Sequence, residues 1–107
     1  METNKILSYL GLAAASRTAV TGTELVLSEV RRGKKGICVL MSSDVSERTA
    51  KQITDKCTFY KVPLIRLACD MYEVGKRTGK KHPVAAAAVT NPSLTRQILK
   101  YTEDNEV

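Results

Sequence analysis

Tryptophan is absent from the 107 residues, phenylalanine occurs once and tyrosine four times. Stacking on many unpaired bases needs a row of aromatic platforms, so it is not the working mode of this chain. Cysteine is scarce as well. Cys38, Cys57 and Cys69 are odd in number, 19 and 12 residues apart, and set in apolar surroundings. They lack both the even spacing of a secreted disulfide framework and the close pairs of a zinc site. The single histidine, His82, has no Ser or Cys near it in sequence. Unless the fold brings a thiol against it, no nucleophile–base pair exists. The cysteines read as small apolar core residues and His82 as a surface loop residue. Neither a G-x-x-x-x-G-K-[ST] loop nor a G-x-G-x-x-G turn after a strand occurs, which removes the common nucleotide-binding fingerprints. No catalytic residue, metal ligand or cofactor is expected.

No apolar run approaches the ~20 residues of a membrane helix. The segment Met1-Glu2-Thr3-Asn4-Lys5 is mixed in charge and leads into an amphipathic stretch, not into the apolar core of a signal peptide. The expectation is a cytoplasmic protein with no membrane partner. What is present is an ordinary globular composition, 43% hydrophobic and 26% charged. A chain of this length makes one domain and can bury a core without disulfides or metals.

Charge is the first positive signal. Lys and Arg number 17 and Asp and Glu 11, giving +6. Glu103, Asp104 and Glu106 fall in the last five residues, so residues 1–102 hold 17 basic and 8 acidic groups, a balance of +9. Residues 1–102 are therefore read as the domain and 103–107 as an acidic tail. Four of the five residues Arg31-Arg32-Gly33-Lys34-Lys35 are basic, as are four of the six in Lys76-Arg77-Thr78-Gly79-Lys80-Lys81. Clusters of this kind point to a polyanionic partner, although a solvated, solubilising surface has the same composition.

Helix and strand alternate along the chain. Residues 4–16 place Ile6, Leu10 and Ala13/Ala14 on one helical face. Ala19-Val20 suits a brief strand. A second helix spans about 22–32, with Thr21 and Glu24 at capping-box spacing and Gly33 as its left-handed stop. Ile37–Met41 is continuously apolar, as a strand covered on both faces would be. Ser42, Ser43 and Asp44 offer helix-starting side chains. A third helix at 45–59 buries Ala50, Ile53 and Cys57 and shows Arg48, Lys51, Gln52 and Asp55 to water. A strand at Leu64–Ala68 follows Pro63, and Asp70 with Glu73 caps a short helix ending at Gly79. Val84–Val89 is another strand, whose small side chains Ala85–Ala88 admit a close neighbour. Asn91 and Pro92 open a last helix with Leu94, Ile98 and Tyr101 on one face. The pattern predicts a three-layer α/β/α sandwich around four strands, mostly parallel or mixed.

Two segments could touch a polyanion. Gly33-Lys34-Lys35-Gly36 matches a GxxG backbone clamp. That clamp joins two helices, whereas here the chain runs into a strand, so the segment reads as a helix stop and a basic turn. Val20-Thr21-Gly22-Thr23-Glu24 brings a Gly, two hydroxyls and free backbone N–H groups to a helix start. Such a start favours phosphate; an ordinary capped helix uses the same residues. A structured RNA gripped through backbone and a few base edges suits this chain better than an extended single strand.

The run Thr21-Gly22-Thr23-Glu24-Leu25-Val26-Leu27-Ser28-Glu29-Val30-Arg31-Arg32-Gly33-Lys34 resembles the second-helix segment of the kink-turn-binding ribosomal protein superfamily, closest to its small bacterial YlxQ-like branch. Val39-Leu40-Met41-Ser42-Ser43-Asp44-Val45-Ser46 is similar to that branch's strand and "ASDAS" turn. Thr54-Asp55-Lys56-Cys57, Val62-Pro63 and Glu73-Val74-Gly75-Lys76 follow in family order, so the likeness covers about residues 5–99. It implies a three-layer α/β/α fold, without enzymatic activity, that binds kink-turns, sharply bent RNA elements built on sheared G·A pairs.

In that family the helix start carries Gly-Thr-Asn-Glu and a later Lys, the last three reading the G·A edges. Anchored on Gly33, these positions fall on Gly22, Thr23, Glu24, Leu25 and Ser28. Gly22 and Thr23 are kept, whereas Glu24, Leu25 and Ser28 depart from the pattern. Thr18 stands where relatives often carry Lys. The basic groups left for RNA are Arg17, Arg31, Lys34, Lys76, Arg77, Lys80 and Lys81. Lys80-Lys81-His82-Pro83-Val84 matches the family's second RNA-facing loop, whose apolar residue is Val84 here. The implied partner is a kink-turn in rRNA or mRNA, on the ribosome or off it, with no DNA and no membrane. A protein-interaction module on the same fold is the competing reading: the lost base-reading residues favour it, and the +9 body favours RNA.

Overall fold

An apolar run without polar alternation has to be covered on both faces, and Cys38–Met41, strand β2, is buried at every residue. Its side chains alternate between two cores. Cys38 and Leu40 point to one, Val39 and Met41 to the other. The computed structural model describes residues 2–102; the acidic tail at 103–107 lies outside them. The elements in order are α1 (Thr3–Ala15), β1 (Ala19–Thr21), α2 (Thr23–Arg31), β2, α3 (Glu47–Tyr60), β3 (Leu64–Arg66), α4 (Met71–Arg77), β4 (Ala86–Val89) and α5 (Pro92–Lys100). Helices α2 and α3 cover one face of the sheet, and α1, α4 and α5 the other. This is the three-layer sandwich expected.

The strand order is β1-β4-β2-β3. Only β2 and β3 are parallel; β4 is antiparallel to both of its neighbours. The sheet is therefore mixed, one of the two forms expected, for a reason local to α4. That helix has only seven residues, and the segment after it turns back along it. The chain therefore re-enters the sheet at the rim where β3 left it. We call this the upper rim: β1, β2 and β3 end there and β4 begins.

Local chemistry sets most boundaries. Ser46, not Ser42 or Ser43, caps α3, accepting from the Thr49 N–H at 3.2 Å. Asp44 serves a different helix, since its Oδ1 accepts from the Met71 N–H at 3.0 Å at the start of α4. Asp70 accepts from the Glu73 N–H, and Asn91 from the Ser93 and Leu94 N–H groups, as their spacing predicts. Ala86 and Ala88 face α2, and Ala87 faces the opposite core, so the alanine run is packing that lets α2 lie close. Ile53 and Cys57 are buried as expected; Ala50 is half-buried.

The return segment depends on Gly75. A Cβ there would stand 2.3 Å from the His82 carbonyl oxygen. Thr78 closes α4 by donating its hydroxyl to the carbonyls of Val74 and Gly75, and the Lys80 N–H returns to Gly75 at 2.9 Å.

Two outcomes follow from this packing. Gly75→Ala drives a methyl into backbone, and overpacking of this kind costs about 1–3 kcal/mol. Gly11→Ala meets only an ordinary 3.6 Å contact and gains helix propensity of up to ~1 kcal/mol. Urea unfolding should rank Gly75→Ala below the parent and Gly11→Ala at or above it; equal midpoints would refute the close approach. The thiols supply the second. Burial pushes Cys38 and Cys57 up to about 11, and burial followed by Glu73 and Asp70 raises Cys69. At pH 8 a thiol reagent should reach half-buried Cys69 first and the other two only on unfolding. Raised folded values favour the neutral thiol, so this contribution is full below pH 9 and lost as pH climbs toward 11.

Candidate nucleic-acid interface

Gly22 joins β1 to α2 with φ 97 and ψ 144, a conformation side chains rarely adopt. Its N–H donates to the Ala86 carbonyl at 3.0 Å, tying the start of α2 to the first residue of β4. Gly22, not Thr21, is the N-cap, and no side chain accepts from the first N–H groups of α2. The expected Thr21 capping box does not form, because Thr21 is still paired in β1 opposite Ala87. Helices α3, α4 and α5 are capped by side chains. The start of α2 instead presents bare backbone donors at the positive end of the helix dipole, with Glu24 in the first turn offsetting part of that charge. Glu24, Leu25 and Ser28 are all exposed on this half of α2, Leu25 at 60%.

The segment after α4 reaches the same rim. Lys80, Lys81 and His82 lie back along α4 and, with Tyr72 and Lys76, line a shallow depression of about 240 Å³. All five are exposed. Opposite charges are absent from the lining, so three ammonium groups share one small surface. The His82 Nδ1 sits 3.1 Å from the Pro83 carbonyl oxygen, and no thiol lines the depression. Val84 then donates its N–H to Met71 O at 3.0 Å, and two residues on the chain enters β4 beside Gly22.

Val84 itself requires a correction. It is 2% exposed and belongs to the core with Leu40, Leu67 and Val74. An apolar side chain this close to the first residue of a central strand is claimed by the sheet's own packing, so it is not offered to a partner. The exposed ring beside this loop is Tyr72, at 70%. Sequence reading overlooked it, although Tyr72 and Lys76 at i, i+4 spacing share one face of a helix.

Other predicted residues are placed elsewhere. Arg77 is half-buried and its Nε donates to Glu73 at 2.9 Å, on the side of α4 that faces Gly11 and Ala14. Arg31 and Lys34 lie at the far end of α2, roughly 13 Å along the helix from Gly22. Arg17 occupies the turn before β1, with φ 63, next to the point where the Thr90 N–H donates to Thr18 O. Gly22, Thr23 and Glu24 thus stand at the upper rim, and Lys76, Lys80 and Lys81 share the depression beside α4, from which the chain runs back to that rim at Ala86. Arg17, Arg31 and Lys34 belong to the opposite, lower rim.

Among the described residues no group of three or more His, Cys, Asp and Glu could hold a metal ion, and no helix is long and apolar enough to cross a membrane. Known proteins of similar sequence and shape agree with one another. The chain is 37% identical to the RNA-binding protein YlxQ of Bacillus subtilis (strain 168) over 94 residues, 88% of this chain and 91% of that protein. It is 34% identical to the RNA-binding protein YlxQ of Enterococcus faecium over 80 residues, 75% and 76% of the two chains. A solved structure from Bacillus halodurans C, described as a protein with unknown function, superposes with a TM-score of 0.80 at 33% identity, covering 90% of this chain and 94% of that one. The Giardia lamblia 15.5kD RNA binding protein superposes with a TM-score of 0.82 at 17% identity, covering 94% and 87%, which shows the shared fold. With the family's sequence model matching residues 4–98, the chain belongs to the ribosomal protein L7Ae/L30e/S12e/Gadd45 family, on its YlxQ-like branch.

Proposed function

We propose that this protein is a non-enzymatic, cytoplasmic RNA-binding protein that grips a kink-turn or a similarly bent element of rRNA or mRNA, on the ribosome or off it. The observation that carries the reading is the meeting of two backbone segments at the first residue of β4. The bare start of α2 is tied there by the Gly22 N–H, and the backbone runs there from the Lys80–His82 loop through Val84, in a chain whose relatives are named RNA-binding proteins. Thr23 and the first α2 amides donate to the RNA backbone at the bend. Lys76, Lys80 and Lys81 neutralise phosphates on the strand that crosses the loop, and Tyr72 offers its ring to a base or sugar. Glu24 can accept from a guanine amino group. Leu25 and Ser28 supply no charge to the G·A edges, so affinity rests more on phosphates than in family members that keep the Asn, Glu and Lys.

Leu25 also supports a second reading. A leucine 60% exposed at the edge of the candidate surface suits a protein partner, and a protein-interaction module is the alternative.

Titration against a kink-turn RNA and a matched duplex lacking the G·A pairs separates the two. If about 4–6 phosphates are contacted, log affinity falls against log salt with a slope of roughly −4 to −5. The double change Lys80→Gln and Lys81→Gln should lower that slope by about 2. Ser28→Lys adds a charge on the exposed α2 face and should tighten the kink-turn, by roughly 1.5–3 kcal/mol at most, and not the duplex. Gly22→Glu is a poorer test, since φ 97 adds backbone strain to the added charge. A salt-independent response would favour the protein-module reading, equal gain on both RNAs would mean only added charge, and no gain on either would place the RNA surface elsewhere.

A further inference from the structure

The only phenylalanine of the chain, Phe59, is 76% exposed. The core face of α3 runs through Ile53 and Cys57 and on to Tyr60, and Phe59 lies off it. The fold therefore gains little from this ring. Tyr60 packs edge-on against it at 4.9 Å and holds it in place. The ring borders a depression of about 410 Å³ between α2 and α3, shared with Leu27, Arg31, Gln52, Asp55 and Lys56. Beyond Tyr60 a second depression of about 390 Å³ takes in Lys34, Lys35 and Lys61. Among the described residues Asp55 is held by Lys51 and Glu29 by Arg32, while Arg31, Lys34, Lys35, Lys56 and Lys61 have no acidic partner. An exposed ring with Arg31 and Lys56 in its own depression and Lys34, Lys35 and Lys61 in the next matches the chemistry of an unpaired nucleotide strand, which brings phosphates for the cations and a base for the ring. A duplex keeps its bases stacked and offers the ring nothing. An ordinary protein surface lacks the negative charge.

We infer that the lower rim is a second RNA-binding surface, on which one or two unpaired nucleotides stack against Phe59 while Arg31, Lys34, Lys35, Lys56 and Lys61 hold the flanking phosphates. It lies at the far end of α2 from Gly22, so an RNA bound at the upper rim reaches it through a single-stranded extension. The inference extends the RNA reading, but it does not require that the upper rim recognise a kink-turn. It also gives Arg31 and Lys34, which the upper rim does not gather, a common task.

Three probes decide it: a uridine decamer, a blunt kink-turn RNA, and that kink-turn carrying the decamer as a 3′ extension. At low salt the parent protein should bind the decamer, and Phe59→Ala should weaken that binding by about tenfold or more, with Phe59→Tyr retaining it. Phe59→Ala should leave the blunt kink-turn affinity unchanged and remove the extra affinity given by the extension. Lys80→Gln with Lys81→Gln should do the reverse, weakening the blunt RNA and sparing the decamer. A decamer of 5-iodouridine should crosslink to residues 59–60 on irradiation. Decamer binding that survives Phe59→Ala, crosslinks at Tyr72 instead, or no decamer binding by the parent would overturn the inference. The last outcome would assign the groove to a protein partner. The decamer arm reads out even if the kink-turn is not bound, so failure of one surface is distinguishable from failure of the other.

Discussion

Strand β4 pairs antiparallel with β1 on one side and β2 on the other, and both candidate segments hang from its first residue. Gly22 donates to Ala86, and the Lys80–His82 segment feeds into the same point. The pairing works because β4 is made of Ala86, Ala87 and Ala88 before Val89. Larger side chains would lift α2 off the sheet and carry the helix start away from the loop. Ala86 and Ala88, the two that face α2, thus set the distance between two surface elements far apart in sequence. The small residues cost hydrophobic burial, and the alternating Val39, Leu40 and Met41 of β2 supply it next door.

Electrostatics distributes the molecule's charge along α2. Its N-terminal half carries no cation of its own and relies on backbone donors and the neighbouring lysines; its C-terminal end carries Arg31 and leads into Lys34 and Lys35. Exposed charges at either rim are separated by more than a Debye length at physiological salt, roughly 8 Å, so each rim acts as its own electrostatic unit. The acidic side chains on the neighbouring helices are largely committed. Glu73 is tied to Arg77, Asp55 to Lys51 and Glu29 to Arg32. Such surface pairs contribute little stability.

What was legible in the sequence was whatever short-range chemistry determines. Asp70 and Asn91 are caps because their partners lie two or three residues on, and α1, α3 and α5 fall where their apolar spacing puts them. The double-faced burial of β2 was legible in an unbroken apolar run. The direction of β4 was not, since it depends on a glycine in α4 accepting the backbone of His82, a contact no periodicity reports. Thr21 looks like a cap until its pairing with Ala87 claims it for a strand. Val84 looks like a loop residue until Leu67 and Val74 are seen to enclose it. The candidate site was half legible. Motif likeness located Gly22 and Lys80–Lys81, but it could not divide the basic residues between two rims. It also missed Tyr72 and Phe59, whose meaning lies in exposure.

The order β1-β4-β2-β3 leaves three-residue strands at both edges of the sheet. The segments with the greatest tendency to zip into foreign strands, Cys38–Met41 and Ala86–Val89, are the two central ones, with both ladders already filled. An edge only three residues long gives another chain too little ladder to grow on. The sheet is closed to strand addition by brevity, without needing charge or proline on the edge. The lysines are accordingly free of that guarding duty, and the chain can place them at the rims, where a polyanion can reach them.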